Sequence, residues 1–109
     1  MQDEQDRKFI LALAPVVAAV CSQHGCTQAQ AKRCVQEAAA YSGFGRYGYA
    51  NNFWMLPGLG DAGFYTVTRV WKNSRTAKDG GWVPETLKLA KYSSPAAGVR
   101  AWIKANGGR

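Results

Sequence analysis

A chain of 109 residues has room for one small domain. With 47% apolar residues it can bury one modest core, and a net charge of +7 favours a polyanionic partner: nucleic acid, anionic lipid or a phosphate-bearing cell-wall polymer. The cations are scattered from Arg7 to Arg109, with no basic run, basic helix or zinc-finger spacing, which argues against specific nucleic-acid recognition.

The first predicted helix runs from about Asp3 to Gln23. Its stretch RKFILALAPVVAAVC looks like a signal peptide, but Asp3, Glu4 and Asp6 make the leading region acidic where a signal peptide is basic. The apolar run of 13 residues is too short to span a bilayer. The segment therefore reads as a buried helix, with Pro15 predicting a kink or a new first turn. HGC breaks it. The three cysteines, Cys21, Cys26 and Cys34, allow one disulfide and a spare thiol. The C-x2-H-x-C spacing around His24 lacks a CxxC knuckle and a second ligand pair, so no metal is expected. Cys21 and Cys34 read instead as small core residues on two helices.

Thr27 and Gln30 form a T-x-x-Q capping box that starts a second helix at about Gln28. Its apolar stripe is Ala31, Cys34, Val35, Ala38, Ala39 and Ser42, with Lys32, Arg33 and Gln36 pointing away. Such small residues imply close packing against another helix, and Gly43 or Gly45 ends the run. Residues 43–63 hold six glycines and no clear period, so they read as a long loop in which LPGLGD supplies a tight turn. Long ordered loops in small domains are usually functional. FYTVTRVW reads as a strand, KDGG as a turn and WVPETLKLAKY as the returning strand, with Pro84 at a sheet edge. In SSPAAGVRAWIKANGG, Ser94 caps a last helix, Pro95 opens it, Gly107 stops it, and Val99, Trp102 and Ile103 form its buried face. Helices at both ends of a strand-rich middle give the α+β class in a single domain, residues 1–109.

Four segments, in this order, resemble the glucosaminidase domain of glycoside hydrolase family 73, which occurs in flagellar peptidoglycan hydrolases, autolysins and phage lysins. LALAPVVAAV is similar to the family's opening apolar helix. AAAYSGFG (38–45) is similar to its A-x-L-E-S-G-W-G pattern, and NNFWMLP (51–57) to its N-N-L-F-G-I-K segment. LAKYSSPAAGVRAWIK (89–104) is similar to its F-R-x-Y-x-S helix segment. The resemblance implies a small lysozyme-like domain, helices packed around a central helix plus a β-hairpin. It implies no cofactor and a partner of peptidoglycan type, a glycan containing N-acetylglucosamine. It also implies a place in the cell wall, periplasm or extracellular space, and it leaves oligomerisation open.

The departures bear directly on activity. The family's catalytic glutamate falls at Tyr41. A carboxylic acid in an apolar pocket can protonate a glycosidic oxygen near neutral pH, whereas a phenol starts near 10 and burial raises it further. The hairpin sequence TVTRVWKN carries no plain counterpart of the family's assisting acid. Met55 and Pro57 replace the glycine and lysine of the asparagine motif, and the family's C-terminal helices have no counterpart before Arg109. Glu37, one helical turn before Tyr41, is the alternative acid, or else a surface glutamate near Arg33. Asp61, Asp79 and Glu85 are the other acids near the expected cleft, with Asp79 reading as a turn residue and Glu85 as a strand-surface charge.

A sugar-binding surface remains. Phe44, Tyr47, Tyr49, Phe53, Trp54, Phe64 and Tyr65 crowd the loop, about half of them expected in the core. The residues expected to face glycan are Tyr49, Asn51, Asn52, Trp54 and Tyr65, the aromatics stacking on pyranose rings and the amides bonding acetamido groups. Three readings follow: an impaired glycan-binding glucosaminidase-like domain, an active hydrolase using Glu37, and a protein-interaction module on the same scaffold.

Overall fold

The computed structural model describes residues 3–72 and 82–107. Three helices and one hairpin follow in the order α1 (Glu4–His24), α2 (Gln28–Ser42), β1 (Phe64–Lys72), β2 (Trp82–Ala90) and α3 (Pro95–Ala105). The expected KDGG turn lies outside the described residues.

Each helix boundary has a local cause. The Asp3 carboxylate caps α1 by accepting the Asp6 N–H at 2.9 Å. Helix α1 continues through Pro15, which starts no new helix, and ends where Gly25 turns left-handed. The capping box at α2 is reciprocal: Thr27 N–H donates to Gln30 Oε1 at 2.8 Å, and Gln30 N–H donates to Thr27 Oγ1 at 3.1 Å. Gly43, at φ +59°, ends α2. Ser94 caps α3 through the Ala97 N–H, with Pro95 in its first turn.

The core is where the three helices meet. Leu13, Val17, Val20 and Cys21 of α1 pack with Cys34 and Ala38 of α2, Val99, Trp102 and Ile103 of α3, and Trp54 from the loop. Cys21 and Cys34 are the small core residues expected of them. Helix α1 lies against both α2 and α3, and the small stripe on α2 permits its approach. Ala38 is fully buried, so Ala38→Leu is expected to overpack this junction at a cost of about 1–3 kcal/mol. That corresponds to a fall in melting temperature of roughly 4–20 °C for a domain of this size. Thermal denaturation followed by circular dichroism checks it, and an unchanged midpoint would remove α2 from the centre of the core.

The hairpin pairs antiparallel, from Phe64 opposite Ala90 to Lys72 opposite Trp82. Tyr65, Val67, Leu87 and Leu89 are shielded while Phe64, Thr66, Thr68, Thr86 and Lys88 are exposed, so one face of the hairpin turns inward. The long loop is tied to the end of β2 by backbone bonds, Ala90 N–H to Leu56 O at 3.0 Å and Gly58 N–H to Lys88 O at 3.1 Å. Helix α3 closes on the same loop at Gly98, where a Cβ would come within 2.6 Å of Asn51 O and 2.9 Å of Trp54. Only glycine allows that approach.

Candidate active-site groove

A concavity of about 320 Å³ opens between the C-terminus of α2, the loop and the inner face of the hairpin. Helix α2 contributes Tyr41 and Ser42. The loop contributes Tyr47, Tyr49, Asn52 and Met55, and the hairpin Tyr65, Val67 and Leu89. Tyr41 is 56% exposed and Tyr49 57%, so both rings offer a face to solvent. Tyr49 meets Tyr65 edge-on, with ring centroids 4.8 Å apart. Burial, and secondarily Tyr49, pushes the Tyr65 phenol above its ordinary pKa. Among the described residues lining this groove there is no carboxylate.

Of the residues expected to face glycan, Tyr49, Asn52 and Tyr65 line this groove, together with Tyr41. Trp54 does not. It is 4% exposed, and its indole N–H donates to Cys34 O at 2.9 Å, so it belongs to the core. The asparagines are also engaged internally. Asn52 is 2% exposed; its Nδ2 donates to Leu56 O and Ala90 O, and its Oδ1 accepts the Leu56 N–H, all at 2.9 Å. Asn51 Nδ2 donates to Tyr92 O at 2.9 Å. Asn52 thus touches the groove from below while its amide holds the loop to β2, and Asn51 is not among the residues that line the groove.

The loop carries four non-glycine residues in the left-handed region: Phe44, Ala50, Asn51 and Met55. Each costs conformational energy that the surrounding bonds must offset. Met55 stands where the resembled asparagine motif has glycine, and its φ of +53° lies in the region that favours glycine. Here the strain is kept, and the Met55 side chain lines the groove.

Glu37 is not part of this wall. Its Oε1 accepts the Trp102 indole N–H at 3.0 Å and its Oε2 accepts Arg33 Nε at 2.7 Å. The Trp102 bond, then the Arg33 bond and charge, hold its carboxyl below the usual range against some desolvation. A carboxylate so engaged on the α2–α3 side is a poor proton donor, and the structure gives Glu37 the surface pairing with Arg33. Asp61 accepts the Ser93 N–H and hydroxyl, which lower its pKa, and it lines a separate shallow concavity with Arg100 and Lys104. Asp79 lies outside the described residues. Glu85 falls opposite Arg69, in step with Leu87 and Leu89, so strand alternation puts it on the groove-side face of the hairpin.

Sequence reasoning left Met55, Val67 and Leu89 out of the groove and did not separate Tyr47 from its aromatic neighbours. Val67 and Leu89 carried a usable signal, since both share a face with Tyr65 once the strands are paired.

No protein-family model and no curated protein matches the chain. Among solved structures, the catalytic domain of the autolysin Auto from Listeria monocytogenes is similar to it, with a TM-score of 0.71 over 93% of this chain at 16% identity. The chain spans 55% of the length of that structure. The α+β fold expected from the sequence, helices with a β-hairpin, is therefore the fold found, and it is shared with the catalytic domain of that autolysin.

Proposed function

We propose that the groove binds peptidoglycan-type glycan containing N-acetylglucosamine, and that the protein hydrolyses it far more slowly than an active glucosaminidase would. The observation that carries this reading is the ring of tyrosines, Tyr41, Tyr47, Tyr49 and Tyr65, around a cleft with no carboxylate among its described lining residues. Aromatic rings pack against the apolar faces of pyranoses, and their hydroxyls bond the equatorial polar groups. The motif order, the left-handed backbone at Met55 and the likeness to an autolysin catalytic domain support the choice of glycan over other ligands.

Tyr49 is exposed enough to be truncated without opening the core. Tyr49→Ala is expected to weaken binding of N-acetylglucosamine oligomers or soluble peptidoglycan fragments by about 1–2 kcal/mol, a factor of roughly 5–30 in Kd. Titration calorimetry on parent and variant measures it, alongside a melting curve that should barely move. A parent that shows no binding at millimolar fragment would end the glycan reading.

One observation favours a second reading. Glu85 shares the groove-side face of the hairpin, so a hydrolase using Glu85 is the alternative. Four residues along β2 separate it from Leu89, about 13 Å at strand rise. That is far for direct attack on a bond held beside Tyr41. Loss of wall hydrolysis in Glu85→Gln would favour this alternative.

A further inference from the structure

The thiols stand apart from the groove and have no part in the reading above. Helix α1 ends at His24, and Gly25, at φ +69°, reverses the chain. The Cys26 N–H then folds back to donate to Cys21 O at 3.0 Å, alongside the Gly25 N–H on the same oxygen. This is the helix ending in which the residue after the glycine packs against the third residue before it leaves the helix. With one backbone bond joining the two residues, covalent geometry limits their Cα separation to about 7 Å at most. A disulfide spans about 4.4–6.8 Å between Cα atoms.

The side chains follow the backbone. Cys26 is half-buried and packs against the core cluster that contains Cys21 and Cys34. The Cys21 thiol is pushed up to about 12, first by burial and then by its hydrogen-bonding contact with Cys26. Cys34 is wholly buried on α2, and burial pushes it to about 12 as well. One member of the trio is therefore within reach of solvent, one is its direct neighbour, and one is enclosed.

We propose that Cys21 and Cys26 are a disulfide-forming pair, with Cys34 the thiol left over. The oxidant is a second disulfide, either a small-molecule one or that of a thiol oxidase. Cys26, as its thiolate, attacks one sulfur of that disulfide and expels the other as a thiolate, giving a mixed disulfide. Cys21 gives its proton to the expelled thiolate and attacks Cys26 Sγ, releasing the second half of the donor. Two protein thiols are oxidised to one disulfide while the donor is reduced to two thiols. The bridge would fix the reversal at the end of α1. Tyr41 lies near the far end of α2, a 15-residue helix about 22 Å long, so the groove would be left alone.

The sequence makes the test simple. Trypsin cuts after Lys8 and Lys32, so Cys21 and Cys26 fall in one peptide and Cys34 in another. The full chain is incubated with oxidised glutathione, unfolded in the presence of an alkylating reagent, digested and weighed. The expected result is an unalkylated 9–32 peptide lighter by the mass of two hydrogens, and complete alkylation of Cys34. Cys34→Ser should give the same bridged peptide, and Cys26→Ser should leave Cys21 fully alkylated. Three alkylated cysteines in the parent, a bridge joining two tryptic peptides, or a glutathione adduct on Cys26 that never closes would each overturn the proposal. None of these outcomes depends on what the groove binds.

Discussion

Trp54→Ala is expected to destabilise the domain by about 3–5 kcal/mol. A domain of this length has on the order of 5–15 kcal/mol in total, so the variant should be partly unfolded near physiological temperature. The cause is a ring 4% exposed at the junction of the loop with α2 and α3. It packs edge-on against Phe53, with centroids 5.8 Å apart, and closes under Gly98. Its N–H bond to Cys34 O ties the loop to α2 and is lost as well. Trp54→Phe keeps most of the ring and loses the bond, so its cost should be smaller. Urea denaturation of the parent and the two variants gives the order. If Trp54→Ala melts like the parent and loses only glycan binding, Trp54 belongs to the groove after all.

That tryptophan marks where the sequence stopped being legible. Helix ends were readable because their causes are local: Thr27 and Gln30 cap each other within three residues, and Gly43 supplies the left-handed backbone that closes α2. The buried face of α3, Val99, Trp102 and Ile103, was readable from period alone. The loop has no period. An aromatic there can face a ligand or a core, and the choice for Trp54 is made by Cys34, twenty residues back. The same holds for Asn52, whose partner Ala90 is 38 residues away. A paired-asparagine motif beside tyrosines suggests a sugar site. In the folded chain it is a brace that holds the backbone on which those tyrosines stand. Glu37 shows the opposite case. Its pairing with Arg33 at four residues was visible in the helix, while the Trp102 bond that fixes its other oxygen was not. Glu85 was readable as a strand residue, but its face became definite only when the register put Leu87 and Leu89 in step with it.

The parent protein is expected to release reducing ends from purified cell walls about 10²–10⁴-fold more slowly than an active glucosaminidase, the usual cost of a missing general acid. Tyr41→Glu tests the cause. It would place a carboxyl at the end of α2, beside Ser42 and against the apolar surfaces of Val67, Leu89 and Met55. Such surroundings raise a carboxylic acid toward the working pH, more so once bound glycan excludes water. The expected gain is at least about tenfold over the parent, a small part of the general-acid effect, because the strained Met55 turn and Tyr49 still shape the groove for a tyrosine. Glu37→Gln is the control. Its carboxylate is held by Arg33 and Trp102 outside the groove, so its loss should lower stability and leave any hydrolysis in the Tyr41→Glu background unchanged. Glu85→Gln decides between the two functional readings. Robust hydrolysis by the parent that disappears in Glu85→Gln would make the hairpin carboxylate the acid and would overturn the impaired-enzyme reading. Hydrolysis appearing only when Tyr41 is replaced by glutamate would locate the deficit in one side chain, with the groove around it still able to hold its substrate.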